Sequence, residues 1–266
     1  MSGFDLHKCI RDNVDPALVR NQLKRIKIQN PAELRRQLQK RDATDDCPLD
    51  VAARYGRNEL AEILLELGAD RRAKMLDGCL AVHIAADFDH VELLKTLLKS
   101  DEGAVGILDN GGWSPLLHAL CNGSYDAFMY IMETYKPACF TYTNRLTFGK
   151  RGHTTHPLYY AALLPLGSAE SEWNNRRIIR ELLNNGCGTD CEGEHLVVWA
   201  ARAGNLGAVK NLVEHTEPSK RDIAIARDHT EVARLSIDHK DPFRNDIRNA
   251  YNQILSYLSR AEKKAK

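Results

Sequence analysis

Cys187, Cys191 and His195 follow one another at intervals of four residues, with His153 and His156 upstream. Thiolate and imidazole donors in such a run are the ligands zinc takes. A structural zinc site also needs a second well-spaced pair. Here that pair is missing or must come from the two histidines, three residues apart, in another part of the chain. The sequence therefore favours no metal, and it implies no cofactor. Catalytic patterns are missing as well: there is no phosphate-binding Gly-rich loop ending in Lys-Ser/Thr, no His-Glu-x-x-His and no Gly-x-Ser-x-Gly. His83, His90, His118 and His229 fall at helical positions, where structural hydrogen bonding is the ordinary use. The expectation is a non-enzyme with no catalytic residues and no small-molecule substrate.

The elements that position these residues repeat. Ala52-Ala53 recurs as Ala85-Ala86, Gly56-Arg57 as Asp89-His90, Glu59-Leu60 as Glu92-Leu93 and Leu64-Leu65 as Leu97-Leu98, a register of 33 residues throughout. Pro48 can open a helix, because its missing N–H would be unpaired there anyway. Gly56 permits the left-handed turn that ends that helix. Leu60, Ile63, Leu64 and Leu67 then form an apolar stripe opposite Glu59, Glu62 and Glu66. A unit this short cannot bury its own stripe, so copies must stack.

The stretch Cys47-Pro48-Leu49-Asp50 through Gly68-Ala69-Asp70 resembles the ankyrin repeat, with its T-P-L-H opening and G-A-D close. The resemblance is strongest over 44–108, weaker over 109–217 and weakest at the ends. It implies an all-α fold, an ankyrin-repeat α-solenoid of stacked helix pairs with short β-hairpin fingers. Residues 1–43 read as an N-terminal capping repeat and a helical insertion begun at Asn30-Pro31. Residues 44–240 read as repeats, the sixth a compact one over Ile223–Leu235, and 241–266 as a C-terminal capping helix with a basic tail. From Ala119 to Ala161 the spacing grows to 42 residues. The insert from Cys139 to Arg151, rich in aromatic and β-branched residues, suggests an extended hairpin over the 136–152 finger. A second insertion lengthens the 163–173 loop.

In the family, partners lie on the concave face of fingers and first helices. The positions here that map to it are Arg54, Tyr55, Arg71, Arg72, Lys74, Phe88, Asp109, Trp113, Asn122, Tyr159, Tyr160 and Arg202, with Arg145 of the long finger. Aromatic and Arg side chains dominate interface energies. Arg71, Arg72, Lys74 and Arg145 suggest a partner protein or peptide with an acidic segment. The function implied is non-catalytic protein–protein recognition, as a scaffold, adaptor or substrate receptor.

Bulk properties set limits. Lys and Arg total 37 against 36 Asp and Glu, a formal charge of +1. That balance makes nucleic acid an unfavoured partner. Residues 1–43 do carry ten Lys or Arg against five Asp or Glu. The alternative reading is therefore a binder of nucleic acid or anionic lipid through this segment and the tail. No apolar run is long enough for a transmembrane segment and no signal peptide opens the chain. Seven cysteines fit reduced thiols, with Cys9, Cys47, Cys79, Cys121 and Cys187 as small core or turn residues. A cytoplasmic monomer is expected, with a nuclear pool left open.

Overall fold

The protein is described by a computed structural model over residues 4–99, 101–143, 157–163, 169–191, 193–238 and 243–265. It is mostly helical, and its contacts divide it into two compact units, Met1–His153 and Thr154–Lys266. No helix among the described residues is long and apolar enough to cross a membrane.

In the first unit the helices come in pairs: α1 (Leu6–Arg11) and α2 (Pro16–Gln29), α4 (Pro48–Arg54) and α5 (Asn58–Glu66), α6 (Ala81–Asp87) and α7 (Val91–Leu98), α8 (Pro115–Asn122) and α9 (Tyr125–Thr143). The first helices stack in the order α1, α4, α6, α8 and the second helices in the order α2, α5, α7, α9. Ala52, Ala53, Ala85 and Ala86 are fully buried, and their small side chains let the first helices approach closely. Leu60, Ile63 and Leu64 of α5 and Leu93, Leu94, Leu97 and Leu98 of α7 are buried as the apolar stripe requires.

The inserted helix α3 (Pro31–Gln39) begins where Asn30 caps it, its side chain accepting from the Glu33 N–H at 3.1 Å. Asp50, at the family's His position, accepts from the Cys47 N–H at 2.9 Å, and His83 does the same for Leu80 at 3.1 Å. Each thereby satisfies an N–H that a helix start would leave unpaired.

Gly56 has φ of +64°, and an added Cβ would lie 2.7 Å from the His90 ring, whose Nε2 bonds the Arg54 carbonyl. Gly56→Ala is expected to lower unfolding free energy by about 2 kcal/mol, from left-handed strain plus the clash. Urea denaturation measures it; an unchanged midpoint would show that the turn relaxes freely.

Helix α9 departs from the sequence reading. The segment from Cys139 to Thr143, expected in a hairpin, is helical. The helix kinks at Tyr135 (φ −122°, ψ 25°) and resumes immediately. Pro137 then stands in the first turn of the resumed segment, where a missing N–H costs nothing. The rest of the long finger, Arg145 included, lies outside the described residues.

The second unit contains α10 (Pro157–Leu163), α11 (Ala169–Asn184), α12 (Leu196–Arg202), α13 (Leu206–Thr216), α14 (Lys220–Leu235) and α15 (Arg244–Lys264). Stacking again separates α10, α12 and α14 from α11, α13 and α15. A two-stranded finger, β1 (Asp190–Cys191) against antiparallel β2 (Glu194–His195), leads into α12. Helix α11 already begins at Ala169, so the inserted loop is shorter than the spacing suggested, and 164–168 lie outside the described residues. The compact sixth repeat is instead one uninterrupted helix, α14, packed on α15. Ile223, Ala226 and Thr230 are buried along one face of it, and no Gly between 220 and 235 breaks the run.

Candidate protein-binding face

Three turns stand before the first helices of the first unit, and each is closed by one backbone bond: Asp42 N–H to Asp46 O, Met75 N–H to Cys79 O and Asp109 N–H to Trp113 O. They are tight turns rather than paired strands. In the first and third, the leading carboxylate organises the turn. Asp42 Oδ1 accepts from the N–H groups of Thr44 (2.9 Å) and Asp46 (3.2 Å) and from the Thr44 hydroxyl (2.7 Å). Asp109 Oδ1 accepts from Gly111 and Trp113 N–H, both at 2.8 Å. Adjacent turns are stitched together: Arg41 donates to Lys74 O at 2.7 Å, and Asn110 donates through its backbone to Asp77 O at 2.8 Å and through its side chain to Leu76 O at 2.9 Å.

Burial alone would raise the Asp42 carboxyl. The bonds from Thr44 and Asp46 outweigh it and hold the group at about 2, below its ordinary 3.8. Because the folded value is the lower one, this contribution is present above about pH 4 and lost as pH falls through about 2. Asp42→Asn is expected to cost on the order of 1 kcal/mol at pH 7 and to flatten the fall in melting temperature between pH 4 and 2. A variant with an unaltered acid profile would remove Asp42 from that role.

Along the first-helix row, Tyr55, Phe88 and Asn122 occupy equivalent places at the ends of α4, α6 and α8. Tyr55 is 44% exposed and Phe88 46%. Phe88 stacks on His90 with ring centroids 6.3 Å apart, and the Arg54 guanidinium lies 5.6 Å from its ring centre. Arg54 is held in turn by Asp46, through two bonds of 2.9 Å.

Of the other residues the sequence assigned to the face, several are engaged within the protein. Arg71 donates to Leu97 O at 3.0 Å, and Arg72 pairs with both oxygens of Asp101 at 2.6 Å. Much of the positive charge expected there is thus matched internally, while Lys74 is exposed. Asp109 is turned inward to its own turn and to His118. Trp113 meets the His118 ring edge-on at 5.7 Å, and Asn122 donates to Asp87. Tyr159, Tyr160 and Arg202 belong to the second unit. Tyr159 packs edge-on against Tyr160 and Trp199, and Arg202 lies over Trp199 at 5.4 Å. In the basic N-terminal segment, Arg11 pairs with Asp42, Arg20 with Glu66, Arg36 with Glu33 and Arg41 with Asp45.

At the metal-like run, Cys187 is buried and its thiol is pushed up to about 11 by burial. His195 spends Nδ1 on the Val197 N–H and has Thr216 at Nε2.

The sequence missed His118 as more than a helix residue. Its Nδ1 is 3.0 Å from Asp87, its Nε2 3.1 Å from Asp109 and 3.8 Å from Cys79 Sγ. Burial would lower this imidazole, but the bonds to Asp109 and Asp87 prevail and push it up to about 11. Its neighbour His83 goes the other way. Burial first, and then the charge of His118, hold it near 4, so His83 is neutral, with Nε2–H donating to Ile107 O at 3.0 Å. Cys79, Asp87, Asp109 and His118 come from two turns and two helices, and their spacing follows no short motif.

Paired helices stacked in two parallel rows, with turns stitched in front of one row, define a helix-pair repeat protein. Over residues 49–144 that repeat is the ankyrin repeat, matching the ankyrin-repeat family model in three copies. The ankyrin repeat domain of Bcl-3, a member of the IkappaB family, superposes with a TM-score of 0.60 over 82% of this chain and 89% of that one, at 18% identity. Over 77 residues the chain is 35% identical to the probable 26S proteasome regulatory subunit p28 of Saccharomyces cerevisiae, a match covering 29% of this chain and 34% of that protein. Over 90 residues it is 34% identical to the human transient receptor potential cation channel subfamily A member 1, covering 33% of this chain and 8% of the channel. The matched segments thus span about a third or less of these relatives. Ankyrin repeats are protein–protein interaction modules, and no enzymatic family is indicated.

Proposed function

We propose that this chain is a non-catalytic recognition module, serving as scaffold, adaptor or substrate receptor, and that it holds a partner protein on the first-helix and turn face of its first unit. The observation that carries this reading is the pair Tyr55 and Phe88. Two large aromatic side chains stand about half exposed at the same place in successive repeats, one of them backed by Arg54. Aromatic anchors on a rigid support lose little entropy on binding. Internal pairing of Arg71 and Arg72 shifts the emphasis from an acidic peptide to an apolar partner segment. Lys74 and Arg54 add charge at its edge. A cytoplasmic setting accompanies the proposal.

Tyr55→Ala with Phe88→Ala is expected to leave the circular dichroism melt nearly unchanged and to weaken capture of the partner at least about tenfold, equivalent to about 1.4 kcal/mol. Equal capture by both forms would move recognition off this face.

A further inference from the structure

Cys79 Sγ, Asp109 Oδ2 and His118 Nε2 form a triangle with sides of 3.1 Å from nitrogen to oxygen and 3.8 Å from sulfur to each of the others. Around a tetrahedral zinc, bonds of about 2.0 Å to nitrogen or oxygen and about 2.3 Å to sulfur place donors about 3.3 Å and about 3.5 Å apart. The triangle matches that pattern to a few tenths of an ångström. Among the described residues these three form a group whose donor atoms all lie within 4.8 Å of one another.

We propose that Cys79, Asp109 and His118 bind a zinc ion, which ties the second turn to the third turn and to helix α8. The surroundings orient each ligand. Asp109 Oδ1 is occupied by the Gly111 and Trp113 N–H groups, which leaves Oδ2 facing the other two donors. His118 presents Nε2 while its Nδ1 faces Asp87 Oδ1 at 3.0 Å. A carboxylate on the far nitrogen is the usual support of a metal-bound histidine, fixing its tautomer and ring plane. Asp87 is itself held by Asn122. All three ligands are mostly buried, with Cys79 7% exposed.

The donor set selects the metal. Thiolate and imidazole favour zinc over magnesium or calcium, which take oxygen ligands. Binding displaces the thiol proton of Cys79 and the Nε2 proton of His118 to solvent, so two negative ligands and one neutral one balance the dication. Three protein ligands leave the fourth tetrahedral position to water.

The test is a Co²⁺ titration of the full chain, purified reduced and stripped with chelator, followed by displacement with Zn²⁺. The expected result is one Co²⁺ per chain, with tetrahedral visible bands and a near-ultraviolet thiolate-to-cobalt band that Zn²⁺ abolishes. Cys79→Ser should lose the thiolate band, and Cys187→Ser should keep it. Asp87→Asn, which leaves every ligand in place, should weaken affinity about 10- to 100-fold. Circular dichroism confirms that each variant is folded. A chain that shows no thiolate band, or a band that survives Cys79→Ser, overturns the site. Unchanged affinity in Asp87→Asn overturns the supporting arrangement and with it the proposed geometry.

Discussion

His83→Ala is expected to lower the unfolding free energy by about 3–4 kcal/mol. The side chain is 0% exposed and joins two parts of the first unit. Its Nδ1 accepts from the Leu80 N–H at the start of α6, and its Nε2–H donates to the Ile107 carbonyl ahead of the third turn. Alanine leaves a buried donor and a buried acceptor without partners, at about 1–3 kcal/mol for each group. It also opens a cavity about the size of an imidazole, although part of the total is recovered as the site relaxes. His83→Asn separates the two contributions. A short side chain at this place can still accept from the helix start, as Asp50 does in α4. It cannot reach Ile107. About half of the loss should therefore return. Urea unfolding of the two variants decides the matter: equal losses would mean that the Ile107 bond carries nearly all of the effect.

The same residue shows what the sequence could and could not reveal. His83 stands at the family's His position and has a helix-capping role, which the 33-residue register makes legible. The register works because the paired alanines and the leucine stripe answer to packing between neighbours, and that constraint recurs with every copy. Departures occurred where it lapses. Across 136–143 no neighbouring stripe fixes the period, and aromatic and β-branched composition pointed to strands. The local backbone instead kinks at Tyr135 and continues as helix. The segment Ile223–Leu235 reads in the register as a compact sixth repeat, yet nothing in 220–235 stops a helix.

The candidate face was legible as positions and not as states. Tyr55 and Phe88 are assigned to it because they follow the alanine pairs, and they are exposed. Arg71 and Arg72 stand where the register puts them, but their partners, Leu97 O and Asp101, sit 26 and 29 residues away at separations unrelated to the repeat. Contacts across a stack join different positions of successive copies, so no single-repeat pattern encodes them. The grouping of Cys79, Asp109 and His118 was invisible for that reason.

Arg54→Ala should also cost about 3–4 kcal/mol, and more than removing its partner. Asp46 is the buried member of the pair, with its side chain 3% exposed, whereas the Arg54 side chain is 35% exposed. Loss of the guanidinium strips the carboxylate of two bonds of 2.9 Å and leaves beside it only the Thr44 hydroxyl at 3.2 Å, whose one proton points to Asp42 at 2.7 Å. An uncompensated charge in such a site is expensive, about 3–5 kcal/mol when burial is complete. Asp46→Ala leaves the reverse problem, which is milder because Arg54 can turn its head toward water. About 1–2 kcal/mol is expected there. The double variant should then be more stable than Arg54→Ala alone, since no charge remains stranded. Thermal and urea unfolding of the four proteins gives the coupling, and strict additivity would deny it. The double variant serves function as well. It removes the cation beside Phe88 while restoring part of the fold, so partner affinity lost in Arg54→Ala and regained in the double variant traces that loss to the stranded Asp46 charge and the weakened fold. Affinity lost in both reports the guanidinium's own part in recognition, through its support of the Phe88 ring or its contact with the partner.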